Sequence, residues 1–365
     1  MAKTSWSVFA NPHPRTKIQP KPRKSTHIQN QPKTKKTHPN PKKPTQTQNP
    51  KITNHYLKTY PQSQQPNKST KRQTIIIMNP NTVQYKQLKV DGLNIFYRQA
   101  GDPAKPALIL LNGLPNASSA FQQLIEDLKN DLFLIAPDFP GFGNSDTPSQ
   151  KDYEYSFHNI SLTIEHFIDQ LGLQHPHVYA LGYGGPITFR IAARRPQLFD
   201  SYILQNSNAY EEGLGPAMKD AAPFLENRNA ATEQLVRPLL TLDGIKLFFL
   251  NGAKNPQTIN PDGYNNALHY LSRPGQETIQ LDLLYNYRTN LAEYPKWQQW
   301  LKTTQPRMLL EWGSNDVFFP VSAAEAIKRD VPSAELHVYD TSHLALEEHH
   351  EDIAKNIKSF LSNNK

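Results

Sequence analysis

The chain has 365 residues, enough for one large α/β core or two smaller units, and only 37% of them are apolar, which is low for a globular protein. The shortfall is confined to residues 1–77, which hold 16 of the 40 Lys and Arg and no Asp, Glu or Gly, so the formal net charge of +8 conceals a remainder with 24 basic against 32 acidic residues. The absence of cysteine excludes disulfides, thiolate catalysis and Cys-ligated metals.

Residues 1–77, with KPRKSTHIQNQPKTKKTHPNPKKPTQTQNPK at their centre, have almost nothing to bury and are expected to be disordered. Their charge would suit nucleic acid or an anionic surface, but they lack the interleaved aromatics of single-strand binders. Scattered prolines also forbid the amphipathic helix of a transit peptide. The preferred expectation is a start at Met78, with the preceding residues an extension of no selected role and no nucleic-acid partner. No apolar run reaches secretory or membrane-spanning length, so a cytoplasmic protein without a membrane partner is expected.

From residue 80 to the end, short β-rich runs alternate with amphipathic stretches, the pattern of a mostly parallel sheet covered by helices. YKQLKVDGLNIFYRQAG predicts an antiparallel hairpin about Asp91-Gly92 at a sheet edge. There follow a strand at 107–113, a helix over SSAFQQLIEDLKN, a strand at 132–138, a helix at 158–171, a strand at 177–182, a helix opening at GGPITFRIAARRP and a strand at 201–206. Residues 208–302 are rich in aromatics and show helical periodicity without strands, predicting a helical cap. The alternation then resumes with a strand at 306–313, a helix over VSAAEAIKRD, a strand at 334–340 and a helix at 349–361. The fold expected is one α/β sheet domain with the cap inserted before its last two strands, over the carboxyl ends where such sheets bind ligands.

Three loops at strand ends carry the chemistry: Asn112-Gly113-Leu114-Pro115, Ala180-Leu181-Gly182-Tyr183-Gly184-Gly185, and the late Asp316 and His343. The second has the small-x-Nu-x-Gly form of a nucleophile elbow, and the order Gly182, Asp316, His343 is that of nucleophile, acid and histidine. Asp316 has an alternative reading as a helix cap before VSAAEA. A phosphate-binding reading of the glycines fails because Ile187 stands where G-x-G-x-x-G requires a small residue. Glu347, Glu348, His349 and His350 cannot all face one metal ion from a helix and read as a solvated helix start, so neither metal nor cofactor is expected.

The domain resembles the α/β-hydrolase superfamily, most closely its haloalkane dehalogenase and epoxide hydrolase branch, over residues 84–361. LNGLPNASSAF is similar to that branch's HG-x-P loop, APDFPGFGNSD to its D-x-x-G-x-G-x-S segment, YALGYGGPITFR to its D-[WY]-G-[GA]-P elbow, and EWGSNDVFF and DTSHLALEE to its acid and histidine loops. The resemblance implies an aspartate nucleophile at position 182, where this chain has glycine, and a histidine at 112, where it has asparagine. It further implies His343 as base, Asp316 as its partner, and the backbone N–H groups of Leu114 and Tyr183 as an oxyanion hole. Asn112, Phe121, Tyr210, Tyr285 and Tyr287 are the expected pocket residues, the tyrosines by analogy with epoxide-activating cap phenols. Leu114 and Tyr183 stand where that branch's dehalogenases bind halide through an amide and an indole, which favours a small apolar epoxide or ester. The expectation is a hydrolase impaired at Gly182, or alternatively a non-catalytic binder of a small apolar ligand.

Overall fold

The computed structural model describes residues 82–363. The expectations for residues 1–77 and for a start at Met78 lie outside the described residues.

Eight strands form one sheet in the order β1-β2-β4-β3-β5-β6-β7-β8. β1 (Gln84–Val90) and β2 (Leu93–Ala100) make the antiparallel hairpin, turning at Asp91 and Gly92 with positive φ at both. β2 also pairs antiparallel with β4 (Phe133–Pro137). β3 (Ala107–Leu111), β4, β5 (His177–Leu181), β6 (Tyr202–Gln205), β7 (Met308–Gly313) and β8 (Glu335–Tyr339) run parallel. β6 and β7 are buried throughout and β3 and β5 nearly so, and they read as continuous apolar runs because helices cover both faces. β8, at the edge, is half-exposed.

The covering helices are α1 (Gln122–Leu128), α2 (Phe157–Gln170) and α3 (Gly184–Arg194). Between β6 and β7 lie α4 (Pro216–Asp220), α5 (Ala222–Glu226), α6 (Ala230–Val236), α7 (Leu242–Leu250), α8 (Pro261–Leu271), α9 (Gln276–Asn286) and α10 (Arg288–Thr304). This is the strand-free insertion expected over 208–302. α11 (Val321–Asp330) and α12 (Leu346–Ser362) complete the layers. Among the described residues no helix is long and apolar enough to cross a membrane.

Two boundaries differ from expectation. The helix over SSAFQQLIEDLKN is split into a 3-10 turn, Ser118–Phe121, and α1, because the Ser118 N–H is drawn 2.6 Å from the buried Asp138 carboxylate. α12 begins three residues early, at Leu346, and kinks at His349, whose φ of −131° leaves the helical range. Its first turn is half-buried rather than solvated: Glu348 accepts the N–H groups of Lys254 and Asn255, and His350 pairs with Asp127.

The β5–α3 turn is pressed against its neighbours. A Cβ on Gly184 would stand 2.4 Å from the Leu111 carbonyl oxygen, and one on Gly185 would stand 1.7 Å from Ser207 Oγ. Gly184→Ala must displace backbone at the end of β3, so we expect it to lower unfolding free energy by about 3 kcal/mol, measured by urea denaturation.

Candidate active site

The turn after β5, the loop after β3, the loop after β7 and the loop after β8 converge at the carboxyl edge of the sheet. Leu114, Gly182, Tyr183 and His343 all line one cavity of about 40 Å³, room for roughly three water molecules. From the insertion, Met218, Phe224, Leu239 and Leu284 close it with hydrocarbon, so the cavity is apolar except at the strand ends.

His343 and Asp316 form a buried pair, with 3% and 4% of each residue exposed. His343 Nδ1–H donates to Asp316 Oδ2 at 2.7 Å, which holds the ring with Nε2 toward Gly182. Asp316 Oδ2 also accepts from Asn206 Nδ2 at 2.9 Å, and Oδ1 accepts the Phe318 N–H at 2.7 Å. Three donors on one carboxylate hold its plane. The helix-cap alternative for Asp316 fails, because α11 starts five residues later, with Pro320 at its cap position.

Gly182 sits between β5 and α3 with φ of +53°, a left-handed backbone that side chains rarely adopt. A Cβ built there would lie 3.4 Å from His343 Nε2 and 3.7 Å from the Gly113 Cα, which is ordinary contact. Its neighbours differ sharply: Gly113, Gly184 and Gly185 would each clash at 2.7 Å or less. Packing therefore demands glycine at those three positions and does not demand it at 182. Among the described residues, neither the Leu114 nor the Tyr183 amide N–H is spent on another protein group, and the Leu114–Pro115 bond is cis.

The rings about the pair are close. Phe248 and Phe318 stack with centroids 4.4 Å apart, and both meet the His343 ring at steep angles. Phe319 lies 6.1 Å from the imidazole and stacks on Tyr287. Of the expected pocket residues, Tyr287 lines the cavity, but its hydroxyl lies 3.1 Å from that of Tyr294, which in turn accepts from Asn208. Burial raises the Tyr287 phenol well above its ordinary range, so it stays protonated.

The other four expected pocket residues are placed elsewhere. Asn112 is buried behind the loop and donates from Nδ2 to the Pro137 carbonyl. Phe121 packs edge-on against Tyr179 within the core, where the 3-10 turn directs it. Tyr210 donates to Asp330 on α11 and lies under Arg329. Tyr285 is half-buried behind the cavity wall, edge-on to Phe224 and within cation–π distance of Arg228 and Arg288. Residue type and analogy do not tell which way a side chain turns.

The sequence reading missed the supports beneath the pair. Gln205 Nε2 donates to the His343 carbonyl at 3.3 Å, Asn206 holds Asp316, and Ser207 Oγ donates to the Gly182 carbonyl at 3.0 Å. These are consecutive at the end of β6, and the only signal for them was polarity in a buried strand end, QNS.

The residues 106–350 match the family model of the alpha/beta hydrolase fold. The chain belongs to the alpha/beta hydrolase fold family. The chain is 34% identical to an uncharacterized hydrolase of Saccharomyces cerevisiae over 75% of the chain and 95% of the relative. It is 24% identical to epoxide hydrolase 3 of Xenopus tropicalis over 76% and 77%. Its fold matches the solved structure of the epoxide hydrolase CorEH with a TM-score of 0.65 at 17% identity, over 78% of this chain and 100% of that one.

Proposed function

We propose that this protein is an epoxide-hydrolase-like member of the family that takes a small apolar epoxide or ester, and that it has lost the covalent step because Gly182 occupies the nucleophile position. The observation that carries this reading is the clearance at Gly182. The backbone keeps the strained φ of +53°, space for a side chain remains, and that side chain would point at His343 Nε2. With no carboxylate or hydroxyl there, no ester intermediate can form. The chemistry left is attack by water deprotonated at Nε2, with charge on the substrate oxygen received by the Leu114 and Tyr183 amides.

Support for the substrate class comes from the cavity's volume and hydrocarbon walls, and from the similarity to Xenopus epoxide hydrolase 3. A neutral phenol at Tyr287 could hydrogen-bond an opening epoxide oxygen if its contact with Tyr294 were exchanged.

The test is hydrolysis of a panel of short epoxides and esters by the full chain beside His343→Ala. Slow turnover is expected, falling at least tenfold in the variant. Unchanged rates would remove His343 from the chemistry. A second reading, non-catalytic binding of a small ligand, is favoured by the same apolar cavity and predicts no turnover by either protein.

A further inference from the structure

A second cavity, of about 420 Å³ against about 40 Å³ beside His343, lies between the 3-10 turn before α1, one face of α8 and the start of α12. The two cavities share no lining residue. Where the first is walled with hydrocarbon, this one is polar: Asn116, Gln122, Gln123, Asn260 and Asn266 are primary amides, and Ser119 and Tyr270 add hydroxyls. Asn116 is 6% exposed and its Nδ2 has no partner among the described residues, so the wall holds a buried donor without an acceptor. Glu347 is half-buried in the wall with no hydrogen bond or ion pair to the described residues, and burial pushes its carboxyl up to about 7 from an ordinary 4.5. Arg98 spends Nε on Ser118 Oγ and leaves its Nη atoms without a hydrogen bond to the described residues. The walls are tied together: Asn266 Nδ2 donates to Ser119 Oγ at 3.0 Å, Asn144 Nδ2 donates to the Tyr270 hydroxyl at 3.2 Å, and Glu348 holds the Lys254 and Asn255 N–H groups shortly before α8. The site is therefore formed before a ligand arrives.

We propose that this cleft binds a neutral polyhydroxylated ring of monosaccharide size. A hydroxyl both donates and accepts hydrogen bonds, and a primary amide does both within one group, so five amides suit a ring with hydroxyls around its edge. Asn116 Nδ2 gains from a hydroxyl oxygen the acceptor it lacks, Glu347 takes a hydroxyl proton, and the Arg98 Nη atoms donate to further hydroxyl oxygens. An anion is disfavoured because the carboxyls of Asp262 and Glu347 outnumber the one guanidinium. A zwitterion engages the charged groups but leaves most of the amides unmatched, and an apolar ring strips water from all of them without replacing its bonds. The volume lies within the roughly 300–1,000 Å³ of small-molecule sites, which the cavity beside His343 does not approach.

The test is calorimetric titration of the full chain with D-glucose, D-galactose, D-mannose and myo-inositol, beside L-glutamine as a zwitterion and cyclohexanol as an apolar ring. At least one of the four polyols is expected to bind with a dissociation constant below about 10 mM, and at least tenfold more tightly than L-glutamine or cyclohexanol. Asn116→Ala should weaken that polyol at least tenfold while melting close to the parent, since it removes a buried donor that no described protein group satisfies. The double variant Gln122→Ala, Gln123→Ala changes two exposed side chains at the start of α1, so it tests the cleft without risk to the core, and it should weaken binding at least threefold. The inference is overturned if all four polyols bind more weakly than about 10 mM, if L-glutamine or cyclohexanol binds better than every polyol, or if both variants leave polyol binding unchanged. No compound in the panel has a bond for the enzyme to hydrolyse, so the outcome is independent of turnover and of the reading of Gly182.

Discussion

Gly182→Asp is expected to raise the hydrolysis rate of short epoxides by on the order of 10³-fold or more, since loss of a nucleophile commonly costs more than this. The scaffold for the gain is present. Backbone at φ +53° is costly for most side chains, but aspartate is among those that tolerate it best. The Cβ meets nothing closer than 3.4 Å, and a carboxylate beyond it would face the cavity beside Nε2. Its attack on the epoxide carbon breaks the C–O bond on the side away from residue 182, giving an ester and an alkoxide that takes up a proton; water deprotonated by His343 then attacks the ester carbonyl, whose oxyanion the Leu114 and Tyr183 amides receive. Gly182→Asp combined with His343→Ala should form the ester and stall, so intact-mass spectrometry should show one adduct per chain. A Gly182→Asp protein that is folded but no faster than the parent, with no adduct in the double variant, would overturn the reading of position 182. Gly182→Ser discriminates the chemistry further: a hydroxyl at that point serves ester hydrolysis and not epoxide opening.

The second large effect is on stability. Glu311 lies midway along β7, next to the edge strand β8, and is fully buried, with Tyr339 donating to one carboxyl oxygen at 2.7 Å and, among the described residues, no partner on the other. Burial pushes its carboxyl up to about 8 from an ordinary 4.5. The folded protein thus keeps a proton that the unfolded chain releases. Between about pH 4.5 and 8 stability must fall as pH rises, by a total on the order of a few kcal/mol, and then level off. Glu311→Gln keeps an acceptor for Tyr339 and removes this titration, leaving one unpartnered amide N–H₂ at a cost of about 1–3 kcal/mol. The variant should be no more stable than the parent at pH 5 and more stable at pH 8.5, by several degrees in melting temperature. Melting curves at the two pH values check the crossing, and parallel profiles for the two proteins would mean that Glu311 is not held protonated.

Much of the architecture was legible in the chain itself. The eight strands, the hairpin turn at Asp91-Gly92 and the strand-free insertion follow from period-2 and continuous apolar runs, turn residues and helical periodicity, which are local properties. The loops that meet at the cavity were legible for a different reason. Gly113, Gly184 and Gly185 are required by contacts under 3 Å, so their pattern survives in the sequence as glycine at fixed offsets from a strand end. Asp316 and His343 were placed by their order after two particular strands, which the sheet order then brings to one edge.

What the sequence by itself determined is the series of elements and which loops reach the carboxyl edge of the sheet. What only the tertiary structure decided is where side chains point. Tyr285 and Tyr287 are two residues apart at the junction of α9 and α10, yet one packs against Phe224, Arg228 and Arg288 and the other lines the cavity. Tyr210 looked equally suited and is tied to Asp330, 120 residues away. The clearance at Gly182 is likewise a distance between β5 and a histidine after β8, set by packing across several strands. Local chain chemistry specifies conformation through nearest neighbours, whereas the direction of a face and the space beside it depend on elements far away in sequence.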